Sequence, residues 1–206
     1  MGKVETSLSE WGAAALTLPG QSRSGDRQAV MHFPGGALVA VVDGLGHGEL
    51  AAVPAETAIE VLERYAREPV AALIQRCHER LRGTRGAVMS LASFREADSR
   101  MTWLGVGNVE GLLLRADNLA TPSSEYAMLR GGVVGYQLPP LRASVIAIGP
   151  ADLMILASDG ISSGFNRDLN VSDPPQQIAD RIMSLHFKGN DDALVLVVRF
   201  LGTRHE

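Results

Sequence analysis

Residues 37–48 read ALVAVVDGLGHG. An unbroken apolar run of this length, rich in valine, predicts a strand buried on both faces. The run stops on a carboxylate, Asp43, and glycines follow at 44, 46 and 48 with His47 among them. A carboxylate at the end of a buried strand is costly unless something cationic meets it. Glycines beside it let the chain turn sharply and bring a backbone carbonyl close to a ligand. The stretch therefore predicts a metal site at Asp43, for which the rest of the chain has to supply companions.

Companions are present. Residues 153–157, LMILA, form another apolar run that leads into Ser158-Asp159-Gly160, repeating the order strand, Asp, Gly. A strong strand pattern at 193–200, ALVLVVRF, has Asp191 and Asp192 at its entrance. Asp26 closes the turn-rich stretch GQSRSGD at 20–26 and opens a weakly alternating segment that runs to Phe33. Pro34-Gly35-Gly36 is a turn signal. A hairpin made this way brings Asp26 and Asp43 to the same end.

The remaining elements follow from periodicity. A first strand is expected within 5–18. Helices are expected over 49–66, where Ala55, Ile59, Leu62 and Ala66 share a face, and over 69–82, where Val70, Leu73, Ile74, Cys77 and Leu81 form a stripe. A third helix is expected over 175–187, with Ile178, Ile182 and Leu185 on one side. Pro54 kinks the first helix or marks its start, and Cys77 reads as core packing. Strands are expected at 87–94, 100–106, 109–115, 141–148 and, briefly, at 126–129. The helices do not alternate with the strands, which argues against a doubly wound parallel sheet. The expected fold is α+β: a four-layer α-β-β-α sandwich of two stacked antiparallel sheets flanked by helices, in a single domain over residues 1–206.

Composition narrows the function. The net charge is −4 and no Lys/Arg block stands out, so the basic footprint of a nucleic-acid binder is missing. One cysteine allows no internal disulfide framework. The polar start of the chain is no signal peptide, and no apolar run approaches the roughly 20 residues of a membrane span. A soluble cytoplasmic protein, with neither nucleic acid nor membrane as partner, is the expectation.

Asp26, Asp43, Asp159 and the pair Asp191/Asp192 all sit at strand ends. Taken singly, Asp beside Gly is a common turn residue; the joint pattern is more specific. Hard divalent cations such as Mg2+ and Mn2+ take carboxylate and carbonyl oxygens. A pair roughly 3.5–4 Å apart relieves the mutual repulsion of gathered carboxylates and activates a water. The chemistry suggested is metal-assisted hydrolysis, most naturally of a phosphate ester. His47, just before Glu49, is read as structural at the helix start. His32, His78 and His186 lack a two-His ligand spacing, which argues against zinc. Residues 44–48 match neither a P-loop nor GxGxxG. Ser24, Ser158, Ser162 and Ser163 are weak nucleophile candidates, since none lies in a GxSxG setting.

SGDR at 24–27, DGLGHG at 43–48, GVGNVEG at 105–111, SDGI at 158–161 and NDDALVLVV at 190–198 together resemble the PPM-type (type 2C) metal-dependent Ser/Thr protein phosphatases. The DGxGHG form is similar to their bacterial sporulation- and stress-regulator branch. The resemblance implies a β-sandwich with two Mn2+ or Mg2+ ions at one end. It implies that Asp43 bridges both ions, that the Gly44 carbonyl binds one, that Asp159 and Asp191 complete the other's shell, and that Asp26 acts through water. Asp43, Asp159 and Asp191 then carry catalysis, with Asp192 standing where Asn is often found and Asp191 uncertain by one position. Phosphorylated stressosome scaffold proteins are the implied partners. Three places depart from the family pattern. Gly25 stands where an acidic residue is frequent, Leu45 where the eukaryotic branch has His, and Gln21 where a phosphate-gripping Arg belongs. Arg23, or Arg27, is the candidate substitute for that Arg, with Arg23 taken as the substrate-binding residue. Two other readings stay open: a non-catalytic binding module of the same fold, favoured by Gly25, and a hydrolase of small phosphate esters.

Overall fold

The computed structural model describes residues 9–117, 122–167 and 169–202. In chain order the elements are β1 (Ser9–Leu16), β2 (Asp26–Phe33), β3 (Gly36–Gly44), α1 (Glu49–Tyr65), α2 (Val70–Arg80), β4 (Ala87–Arg95), β5 (Arg100–Val106), β6 (Glu110–Leu114), β7 (Ser124–Tyr126), β8 (Ser144–Ala147), β9 (Leu153–Ala157), α3 (Pro175–His186) and β10 (Ala193–Phe200). The strands form two sheets, β1-β10-β9-β6-β7 and β2-β3-β4-β5-β8. Every pairing in them is antiparallel.

Side-chain alternation sorts the strands into layers. On β3, Leu38, Ala40 and Val42 join α1 and α2 in one buried cluster, while Ala37, Val39 and Val41 point into the space between the sheets. On β10, Leu194, Leu196, Val198 and Phe200 meet them there, and Ala193, Val195 and Val197 pack on α3. The order of layers is α1/α2, sheet, sheet, α3, the α-β-β-α sandwich expected. The continuous apolar runs of β3 and β10 reflect this: both faces of each strand are covered. Leu73 and Ile74 of α2 are fully buried and stabilise the fold by about 2 kcal/mol each. Cys77 is buried among them, and burial pushes its thiol up to about 12.

Some boundaries differ from expectation. Residues 5–8 of the expected first strand lie outside the described residues, and β1 ends where its ladder with β10 ends, at Leu16 opposite Ala193. The short strand expected at 126–129 lies at β7 instead. Residues 127–130 still run beside β6, with Ala127 N–H on the Gly111 carbonyl (2.9 Å) and Gly107 N–H on the Arg130 carbonyl (2.7 Å), but without a ladder. β8 begins at Ser144 rather than 141, just past Pro139-Pro140, which offer no N–H donors. Pro54 sits inside α1 and is buried. No helix among the described residues is long and apolar enough to cross a membrane.

Candidate metal centre

In the β2–β3 hairpin Asp26 lies directly opposite Asp43. Opposed residues of an antiparallel pair point to the same face, here the space between the sheets. Asp159 and Asp191 come from the other sheet, just beyond β9 and just before β10. These two strands are neighbours, so their ends arrive together. A cavity of about 300 Å3 opens at this end of the sandwich, and its wall includes Asp43, Asp159, Asp191, Asn108, Leu45, Gly46 and His47.

Asp26 is buried behind that wall. Its Oδ2 accepts a hydrogen bond from Ser158 Oγ at 2.6 Å, and Ser158 Oγ accepts one from the Leu194 N–H at 2.9 Å. Ser158 thus ties the two sheets together beside the cavity; it is a buried clamp rather than a nucleophile. Asp159 Oδ2 accepts from Asn108 Nδ2 at 2.8 Å, and Lys188 Nζ donates to the Asp159 carbonyl at 2.6 Å. The two adjacent aspartates at 191 and 192 diverge. Asp191 is half-exposed on the cavity wall, its Oδ1 accepting the Asp192 N–H at 2.8 Å. Asp192 is buried, with Oδ1 on the Leu18 N–H (2.7 Å) and Oδ2 on the Gly25 N–H (2.6 Å). Asp192 therefore holds the β1–β2 loop against the sandwich.

Gly44 lies at the close approach of α1: a Cβ there would stand 1.9 Å from the Ala51 carbonyl oxygen. Gly44 is not part of the cavity wall. Its own carbonyl oxygen lies on the loop side, 3.2 Å from where a Cβ on Gly25 would be. The same Cβ would meet the Ala51 Cβ at 2.7 Å, so α1 leaves no room for an acidic side chain at 25. Arg23 is not part of the cavity wall. It pairs with Glu49 and Glu56 of α1, each at 2.5 Å, and Arg27 pairs with Glu56 at 2.6 Å. Among the described residues these pairs occupy both arginines expected to replace the missing phosphate-gripping residue. His47 does not cap α1. Gly48 is the cap, no side chain bonds there, and His47 is exposed on the cavity wall. The structural role expected for it at the helix start is therefore absent, because the turn through Gly48 directs residue 47 outward.

The fit to a cation can be judged from these carboxylates. Among the described residues none donates a hydrogen bond to the carboxylate of Asp43, and its environment disfavours the charge. Burial first, then the charges of Asp26, Asp159, Asp191 and Asp192, push its carboxyl up to about 9. Burial pushes Asp26 up to about 7, against the pull of the Ser158 hydroxyl, with Asp192, Asp159 and Asp191 adding to the rise. Asp191 is raised too, chiefly by burial. Such a cluster is relieved by positive charge on its open side. The donors are all oxygens, as hard divalent ions require. Among the described residues no three His, Cys, Asp or Glu side chains form a ready-made cage, so water would have to complete the shell of an ion held here. The residues present fit the group.

Sequence reasoning missed Asn108, Lys188 and Asn190 at this site. Asn108 lies in the GVGNVEG turn and Asn190 in NDD, so both stood inside stretches already singled out, but neither residue type carries a signal of its own.

Comparison with known proteins agrees with this architecture. The profile of the stage II sporulation protein E (SpoIIE) family matches residues 34–201. The phosphoserine phosphatase RsbX of Bacillus subtilis (strain 168) is 33% identical over 98 residues, which is 48% of this chain and 49% of that protein. The aligned stretch thus spans about half the length of this curated relative. Among solved structures, a chain from work on the bacterial stressosome, as a modular system adapted to control secondary-messenger signalling, superposes with a TM-score of 0.84. It is 28% identical, and the match covers 93% of this chain and 99% of that one. RsbX in complex with magnesium gives a TM-score of 0.83 at 22% identity, covering 95% and 97%.

Proposed function

This chain belongs to the SpoIIE family, and on that footing we propose that it is a divalent-metal-dependent phosphatase of phosphoserine and phosphothreonine in proteins, acting in bacterial stress signalling. The observation that carries the reading is the convergence of Asp43, Asp159 and Asp191 on one cavity, with Asp43 lacking any hydrogen-bond donor among the described residues. Similarity to a phosphoserine phosphatase and to a stressosome-associated chain supports the substrate class and points to phosphorylated stressosome scaffold proteins. The whole activity belongs to one domain over residues 1–206 in this reading.

Mn2+ or Mg2+, in a pair, is the cofactor proposed. When bound, the cations supply an activated water and screen the charge of the phosphoryl oxygens. The chain's own residues do the rest. Asp43, the Gly44 carbonyl, Asp159 and Asp191 would hold the ions, and Asp26 would act through water. Asn108 fixes the orientation of the Asp159 carboxylate. The Asp26–Ser158 bond and the two bonds to Asp192 fix the strand ends relative to one another, which is the outer support that ligand geometry depends on.

The test is phosphate release from a phosphoserine protein with Mn2+ present. Asp43→Asn is expected to lower the rate by more than about 100-fold, since even outer-shell partners cost about 10–100-fold. Equal rates for the variant and the wild type would sink the reading.

A further inference from the structure

In the phosphatase reading a cationic side chain beside the cavity would meet the substrate's phosphoryl oxygens together with the metal, and among the described residues the arginines of the β1–β2 loop are engaged elsewhere. Arg23 and Arg27 are paired with α1, and Lys188 is bonded to the backbone at Asp159. Arg85, in the connector between α2 and β4, lies against the loop that leaves Asp43. It is exposed and enters no ion pair or hydrogen bond among the described residues. Its Nη1 passes 2.6 Å from where a Cβ on Gly46 would stand, and Gly46 lines the cavity beside His47, in the loop that leaves Asp43. The positive φ of Gly46 (103°) and the missing side chain together let the guanidinium lie across the loop. The connector is anchored. Thr84 N–H donates to the Leu81 carbonyl (3.0 Å) and Leu45 N–H to the Gly86 carbonyl (3.1 Å), while Thr84 Oγ1 accepts the Gly86 N–H (3.0 Å). Arg85 is therefore carried on a connector held to the end of α2 on one side and to the metal-site loop on the other.

We propose that Arg85 is the substrate-binding residue that grips the phosphoryl group, reaching across Gly46 from the α2–β4 connector and taking the place that Gln21 leaves without a charge. A guanidinium offers a planar, bidentate match to phosphate oxygens. The proposal rests on the phosphatase reading above.

The experiment uses the full chain saturated with Mn2+ and inorganic phosphate as the probe, with calorimetry for affinity and turnover of a phosphoserine protein in parallel. Arg85→Ala is expected to weaken phosphate binding about tenfold or more, the scale of a lost charge-assisted hydrogen bond, and to raise KM more than it lowers kcat. Arg85→Lys recovers part of the loss. Mn2+ affinity and the melting temperature stay at wild-type values in both, and Arg82→Ala binds phosphate as wild type does. Wild-type phosphate affinity in Arg85→Ala overturns the proposal, as does a loss matched by an equal loss of Mn2+ affinity or a wild type that binds no phosphate. If the Mn2+-loaded wild type binds phosphate but releases none from phosphoserine protein, the phosphatase reading fails, and the phosphate affinities still decide the role of Arg85.

Discussion

Strand β9 carries a carboxylate just before it and another just after it, and the two ends are built in opposite ways. Asp152, before β9, is buried and neutralised from within. Its oxygens accept from Arg115 Nη1, the Ala116 N–H and the Gly149 N–H, each at 2.9 Å, and Arg115 also pairs with Glu125. Asp159, after β9, accepts from the neutral amide of Asn108 and shares its surroundings with Asp26, Asp43, Asp191 and Asp192. Both ends gather charge at the edge of an apolar sandwich, but among the described residues only the Asp152 end pairs its carboxylates with a cationic side chain. The lesson is that the chain can close such a site with its own arginine and does so at one end. At the other it leaves the positive charge to come from outside.

The sharpest way to break this contrast is to remove one carboxylate from each end and compare signs. Asp152→Ala leaves Arg115 short of a buried partner and is expected to cost about 3 kcal/mol, read by urea unfolding. Asp43→Asn replaces a buried carboxyl that must take up a proton on folding at neutral pH. In chelator at neutral pH it is expected to raise stability by at least about 1 kcal/mol. Destabilisation of the chelated protein by Asp43→Asn would break the comparison.

A pH series in chelator sharpens it. Asp43 and Asp26 titrate in the folded chain at about 9 and about 7, above their unfolded values near 4. Between those limits the folded state holds more protons than the unfolded state, so stability falls as pH rises. The metal-free protein is therefore most stable at the acid side of this window and loses that increment by about pH 9. Saturating Mn2+ competes with the protons for the same oxygens, so its stabilisation grows over the same range. A flat profile in chelator would show that the acidic end is not under repulsion.

The sandwich was legible because its determinants are local and repeated: the runs at 37–42, 153–157 and 193–200, the turn at 34–36 and the stripe on α2 all report burial directly. Their meeting point was legible for the same reason, since Asp26 and Asp43 are joined by one short hairpin. What stayed hidden depends on side chains far apart in sequence. Arg23 sits in the loop where a phosphate-gripping residue is sought, but Glu49 at the start of α1 and Glu56 about two turns further on hold it in ion pairs. Arg85 carries no sequence signal, because its use depends on the path of the Gly46 backbone. His47 looked like a helix-start residue in a string of letters, whereas the backbone turn at Gly48 aims it at the cavity wall.

The pair Asp191-Asp192 shows the limit in its smallest form, and it yields the finest test of the contrast between closed and open carboxylates. Neighbours in sequence, they repeat in miniature the difference between the two ends of β9. Asp192 is closed, with one oxygen on the Leu18 N–H and the other on the Gly25 N–H. Asp191 faces the cavity and uses one oxygen on the Asp192 N–H. An amide at 191 keeps that acceptor, so Asp191→Asn is expected to leave urea stability within about 0.5 kcal/mol of wild type while weakening Mn2+ binding. An amide at 192 has one acceptor for two donors, so Asp192→Asn is expected to cost about 1 kcal/mol of stability and to affect Mn2+ binding less. Calorimetry and urea unfolding on the same two variants give the four numbers needed. If Asp192→Asn loses the more Mn2+ affinity and Asp191→Asn the more stability, the assignment of the ligand to Asp191 is reversed.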